Sequence, residues 1–203
     1  MKLKNIFILL TCSFVCQADI ISLTSINSGF IQKNGSSYTH YSGSAFAQKQ
    51  GSLDSNSYYV FDLSSISGNI VEATFDFGGG FEFGNTNLEL NQVITNVEDL
   101  QNGNGNLRNT FRDLRDERYA STGGPGAFTL NSLAIADINA NGSLFAIGVD
   151  NLSNNSWFWD LSATLTLTTA APEASEIILM FLAIALLFKF YSDKNKKIQF
   201  SNA

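Results

Sequence analysis

Past residue 16 this chain has no cysteine; Cys12 and Cys16 are its only two. Residues 17–203 can therefore form no disulfide, offer no thiol nucleophile and give no thiolate to a metal. Histidine is nearly as scarce, with His40 alone in Tyr38-Thr39-His40-Tyr41. One histidine without cysteine leaves too few ligands for a zinc site. A Ser-His-Asp arrangement would have to be built on His40, and the chain has no G-x-S-x-G turn. Carboxylate pairs of the kind used in glycoside hydrolysis exist in number, but most of the acids alternate with apolar residues, where a solvent-facing strand explains them. The expectation is a protein that is not an enzyme. Basic residues are few as well. Residues 19–175 hold 6 Lys and Arg against 16 Asp and Glu, so 6 − 16 = −10, a balance that excludes nucleic acid as a partner.

Long apolar runs are also missing, and the two short ones lie at the ends. Lys2 and Lys4 precede the apolar stretch Ile6 to Val15, and Cys16-Gln17-Ala18 puts small residues at −3 and −1 for cleavage before Asp19. Residues 1–18 read as a signal peptide, well short of the roughly 20 apolar residues that span a bilayer. At the other end, Ala170-Ala171-Pro172-Glu173-Ala174-Ser175 leads into apolar Ile177 to Phe188. Lys189, Lys194, Lys196 and Lys197 follow. A marginal transmembrane helix over 177–191 is expected, with Lys189 snorkelling and the basic tail at 194–197 on the cytoplasmic side.

What the chain has in abundance is Phe, 17 of 203 residues, with Asn, Ser, Gly and Thr. Aromatic and β-branched residues suit a pleated, half-buried surface, and the small polar residues suit turns. Period-two alternation marks the strands. Ser57–Leu63 precedes Ile70–Phe77, in which Glu72, Thr74 and Asp76 share one face and Val71, Ala73, Phe75 and Phe77 the other. Gly78-Gly79-Gly80 breaks the run. Phe81-Glu82-Phe83, Leu88-Glu89-Leu90 and Val93–Val97 resume it, Ser143–Val149 and Trp157–Thr168 read as two late strands, and Ile20–Ile31 and Ser36–Ala47 are fainter candidates. The fold expected for residues 19–169 is all-β: a single antiparallel β-sandwich of roughly eight strands, jelly-roll-like.

Three features are candidate sites. Leu107, Phe111 and Leu114 fall at i, i+4 and i+7 beside all four arginines (Arg108, Arg112, Arg115, Arg118) and three acids. The stretch reads as a solvated helix or ordered loop, or as a patch for an anionic ligand. Asp137, Asn139 and Asn141 before Gly142 match the first half of a calcium loop, although the twelfth position falls on Gly148; an Asn-Gly turn between strands is the plainer reading. Calcium is thus the one cofactor to consider, and otherwise none is expected. Trp157 and Trp159 share one strand face, as core residues or as an aromatic platform for sugar rings.

The C-terminal order of Pro172-Glu173, apolar helix and lysine cluster resembles the PEP-CTERM sorting signal of Gram-negative bacteria. Ala174 stands where that family usually has a second proline, and lysine stands for its arginines. The resemblance implies residues 170–203 as a sorting tail with an exosortase-type processing enzyme as partner, after signal peptidase at the N-terminus. It implies export, inner-membrane anchoring, and then the cell surface or exopolysaccharide matrix. Tyr59–Thr74, with its Phe61-Asp62-Leu63-Ser64 run, is similar to a strand pair of exported sandwich domains that include the DNRLRE carbohydrate-binding-like modules. Leu144–Val149 is similar to a late strand of domains carrying PEP-CTERM tails. The function expected is a non-enzymatic surface or matrix protein, or alternatively a polysaccharide-binding module within that matrix.

Overall fold

Alternation becomes paired strands in β6 (Ile70–Phe77) and β12 (Ala163–Thr169), which set Leu165 opposite Phe75 and Leu167 opposite Ala73. The structure, a computed structural model, describes residues 18–140, 142–171 and 182–189. The inward residues of both strands are buried, while Asp76, Thr74 and Thr166 on the other face meet solvent. Val71 departs from the expected face: it is exposed, and Ile70 is buried in its stead. The register slips between Thr168 and Thr169, and such a bulge moves the neighbouring residue to the opposite face. With β1 (Ile20–Thr24) beside β12 and β9 (Ala127–Thr129) beside β6, these strands form an antiparallel sheet of order β1-β12-β6-β9.

The second sheet grows from β5 (Leu53–Asp62). β2 (Asn27–Asn34) pairs along one side of it, and β3 (Ser37–Ser42) edges β2. The other side of β5 is shared: β4 (Ala45–Gln50) takes Leu53 to Ser55, and β10 (Leu144–Asn151) takes Ser57 to Asp62. The sheet therefore forks. Beyond β4 come β11 (Ser156–Asp160) and the edge strand β7 (Phe81–Phe83); beyond β10 comes β8 (Leu88–Gln92). The hairpins β2–β3 and β4–β5 turn on Gly35-Ser36 and Gly51-Ser52, where only the glycine has positive φ (59° in both). Positive φ at the first central residue alone is the II′ arrangement, which matches strand twist.

Among the described residues twelve strands, not roughly eight, make the sandwich. Ile20–Ile31 and Trp157–Thr168 each split at a corner between sheets. In the second case Asp160 holds the corner, its carboxylate accepting from the backbone N–H groups of Leu161 (2.7 Å) and Gly78 (2.9 Å). Val93–Val97 does not continue as a strand either. The Asn96 side chain accepts from the Glu98 N–H at 2.8 Å and starts α1 (Val97–Asn102), as an N-cap does.

Rings fill the space between the sheets. Tyr59 and Phe61 of β5 meet Phe75 edge-on, with centroids 5.5 and 6.2 Å apart, and Phe77 meets Phe158 at 4.7 Å and Phe128 at 5.8 Å. Edge-to-face pairs satisfy the ring quadrupoles better than face-to-face sandwiches. The opposite face of β5 is buried too. Tyr58 and Val60, with Ile31 and Ala146, pack under α1 and α2 (Leu107–Asp113) through Leu100, Phe111 and Leu114. A third helix, α3 (Ser132–Ala140), went unforeseen in the sequence. The Asn131 side chain caps it by accepting from Leu133 and Ala134, and Ala134 and Ile138, one turn apart, enter the central core.

Contacts group Ile20–Thr169 as one compact unit, and residues 1–19 with 170–203 as another. Residues 182–189 of the latter are helical, and Lys189 is exposed. Among the described residues no helix is long and apolar enough to cross a membrane. The rest of the expected span 177–191, the leader up to Gln17, Pro172, Glu173, Ala174, Ser175, Lys194, Lys196 and Lys197 lie outside the described residues.

Candidate functional site: an aromatic edge

Phe158 decides the face of its neighbours. It is fully buried in the central core, so strand alternation sends Trp157 and Trp159 the other way. There the register sets Trp157 opposite Phe83 and Trp159 opposite Phe81, both on β7. The cross-strand rings stack: Trp157 on Phe83 at 5.9 Å and 14° between planes, Trp159 on Phe81 at 5.9 Å and 18°. On the inner side Phe46 of β4 touches Trp157 at 6.0 Å, Phe30 touches Phe46 at 5.4 Å, and Tyr41 stacks on Phe30 at 4.5 Å. The result is a continuous row of aromatic rings that runs out to the sheet edge.

Exposure rises toward that edge. The tryptophans are half-buried, whereas Phe81 and Phe83 are 66% and 58% exposed. β7 pairs only with β11, so each phenylalanine has one ring face on a tryptophan and the other turned beyond the edge. The sequence named the tryptophans and missed the phenylalanines as the outermost rings. The signal was present as Phe81-x-Phe83, with the same spacing as Trp157-x-Trp159. Gly80 lets β7 come this close, since a Cβ there would fall on the Trp159 carbonyl.

Neither indole N–H meets a protein acceptor among the described residues. β7 and β11 carry no lysine or arginine, and their charges are Glu82 and Asp160. Glu82 sits on the opposite face of β7 from the rings, accepting from the Thr86 hydroxyl at 2.6 Å.

The other candidates take different places. Asp137 and Asn139 lie on α3, not on a loop. At 3.6 residues per turn, side chains two apart diverge by roughly 200°, so they do not form the calcium cage expected of alternate loop positions. Asn139 bonds both the N–H and the carbonyl of Ile70, at 2.8 and 2.9 Å. Asp137 accepts from Gln92 (2.7 Å) and from the Tyr119 hydroxyl (2.6 Å). Those three side chains line a cleft of about 530 Å³ between the segment Val93 to Glu98 and the segment Ser143 to Ala146. Burial, then the bond to Asp137, pushes the Tyr119 phenol far above its ordinary range. Asn141 lies outside the described residues, among which no cluster of three metal-ligating side chains occurs.

The arginine-rich stretch forms the short surface helix expected, α2, with Arg108 and Arg112 exposed, and it also holds on to the sheet beneath it. Phe111 and Leu114 are buried, Arg115 is committed to Asp54 and Asp150 at 2.8 and 2.9 Å, and Arg118 pairs with Glu89. Gly148 belongs to the same contact, because a Cβ there would collide with the Leu114 carbonyl.

His40 of β3 bonds the Tyr58 hydroxyl through Nε2 at 2.9 Å. Burial pushes the Tyr58 phenol up to about 12. Burial lowers the His40 pKa below its ordinary 6.5, only partly offset by a hydrogen bond to the Leu100 backbone. The unfolded chain then binds more protons than the folded one in the window below 6.5. Stability is therefore complete above 6.5 and falls as pH drops through that window. Denaturation midpoints measured across roughly pH 5 to 7 should show this fall in the native chain and a flatter profile in His40→Gln.

No protein-family model matches this chain, and no curated protein matches it in sequence.

Proposed function

We propose that this chain is an exported, non-enzymatic protein of the cell surface or exopolysaccharide matrix, sorted through its C-terminal tail. The observation that carries the reading is the order of parts. A leader ending at Ala18 precedes a disulfide-free sandwich, and Pro172-Glu173, an apolar segment and four lysines follow it. The compact unit runs from Ile20 to Thr169, between the two proposed processing regions. Its first strand pairs with its last, Ile20 opposite Thr168, so both flanks leave the same end of one sheet. Cuts outside these strands leave every pair of that sheet intact. The frequent crossing of the chain from one sheet to the other supports a jelly-roll-related topology. On this reading a helix over 177–191 holds the protein at the inner membrane until an exosortase-type enzyme acts, and signal peptidase removes residues 1–18.

Intact-mass measurement on membrane and secreted fractions of the native host tests it. The expected species begins at Asp19 and ends between Pro172 and Ser175. A chain that keeps Met1 and stays in the cytosol overturns the reading.

The aromatic edge favours a second, compatible reading: the sandwich binds polysaccharide in that matrix. Aromatic rings bind sugars through the apolar C–H faces of the pyranose, and hydroxyls around those faces seek hydrogen-bond partners.

A further inference from the structure

The geometry points to β7 as the contact element for a neutral glycan chain, with Phe81 and Phe83 as the stacking rings and Trp159 and Trp157 as their support. This deepens the polysaccharide-binding reading and rests on it. A ring that stacks a sugar must have a free face. Trp157 lies between Phe83 and Phe46, so both its faces have aromatic neighbours. Phe81 and Phe83 each have one face on a tryptophan and one beyond the sheet edge. Two residues apart on a strand, they are separated by roughly 7 Å, a spacing that lets one extended sugar chain cover both. Stacked rings on paired strands lose little freedom on binding, which is the preorganisation that a stacking surface needs. The indole N–H groups, which meet no acceptor among the described residues, supply donors for sugar hydroxyls beside the rings.

Charge selects among glycans. β7 and β11 hold Glu82 and Asp160 and no cation, and residues 19–175 sum to −10. A uronic-acid polymer would meet repulsion and no basic partner, whereas a neutral polymer meets neither. Charge argues equally against a second copy of this chain at the edge. Antiparallel pairing of β7 with itself about Glu82 would put two carboxylates face to face on a strand of only three residues.

The chain has two tryptophans, and both lie in this row, so its tryptophan emission, excited beyond the tyrosine band, reports on the proposed site alone. The full chain in detergent is titrated with soluble neutral β-glucan, mannan and chitin oligosaccharides, and with polygalacturonate, while emission is followed. Co-sedimentation with insoluble neutral polymers runs alongside. A saturable emission change is expected with at least one neutral glycan, unaltered by added salt and absent with polygalacturonate. Phe81→Ala and Phe83→Ala should each weaken binding roughly three- to tenfold, and Val71→Ala on the other sheet should not. Thermal midpoints near that of the native chain establish that the variants fold. Glycan binding that is indifferent to both phenylalanine variants overturns this site and leaves the polysaccharide reading standing. Preference for polygalacturonate overturns the charge argument. No binding to any polymer overturns the site and the reading together.

Discussion

Phe77→Ala is expected to lower the free energy of unfolding by about 4 kcal/mol. Phe77 touches four rings: Phe158 at 4.7 Å, Phe75 at 4.8 Å, Phe128 at 5.8 Å and Tyr59 at 6.0 Å. Tyr59 and Phe158 belong to one sheet and Phe75 and Phe128 to the other, so the side chain joins the two layers. Its removal loses the transfer of a large apolar group from water and leaves a cavity whose walls are held by backbone pairing and cannot close. For a domain with a total stability of roughly 5–15 kcal/mol, the loss is a large share, and no disulfide backs it up. Urea denaturation of both chains measures it. A cost under about 1 kcal/mol would mean that the sheets do not meet through this ring.

Arg115→Ala is expected to cost about 3 kcal/mol. Arg115 follows α2 and reaches back over the sheet. Its guanidinium donates to Asp54 at 2.8 Å, Asp150 at 2.9 Å and the Asn56 side chain at 2.9 Å, and lies 4.8 Å above the Phe111 ring. Its partners come from β5 and β10, so one cation fastens the helical layer to two strands. Most of the expected loss comes from what is left behind. The Asp150 side chain is 5% exposed, and burial already raises its pKa while Arg115 opposes that rise. Without the arginine its pKa rises further above the unfolded value, so the folded chain holds a proton that the unfolded chain has released. The stability of the variant should therefore fall as pH rises through the range above the ordinary aspartate value, and its deficit should shrink toward acid. Asp150→Asn added to Arg115→Ala should recover a good part of the loss. Denaturant midpoints for the three chains at about pH 4 and pH 7 provide the measurement. Equal deficits at both pH values would show that Asp150 is not the group left uncompensated.

Both residues were in view in the sequence, and they differ in how much could be read there. Phe77 ends an alternating run whose inward face follows from period two alone. Arg115 sits among four arginines and three acids, which look alike until a fold brings one of them over Asp150, 35 positions along the chain. Asp137 and Asn139 show the converse case. Their oxygen-bearing side chains matched a calcium loop in spacing, but the Asn131 cap and the inward pair Ala134 and Ile138 draw the segment into a helix. Local hydrogen bonds and burial outweighed the motif.

By itself the sequence determined the β class, through alternation and turn residues, and ruled out disulfides through the lack of cysteine beyond residue 16. It also determined that Trp157 and Trp159 share a face, because that follows from the geometry of one strand. What it left undetermined was which faces would be covered. Phe75-Asp76-Phe77 and Phe81-Glu82-Phe83 are the same pattern, six residues apart. The first pair of rings is 0% and 6% exposed and the second 66% and 58%. β6 has neighbours on both sides and a second sheet over its apolar face, while β7 has one neighbour and ends the sheet. Burial is a property of the layers that meet, and only the tertiary structure made one pair of rings a core and the other a surface.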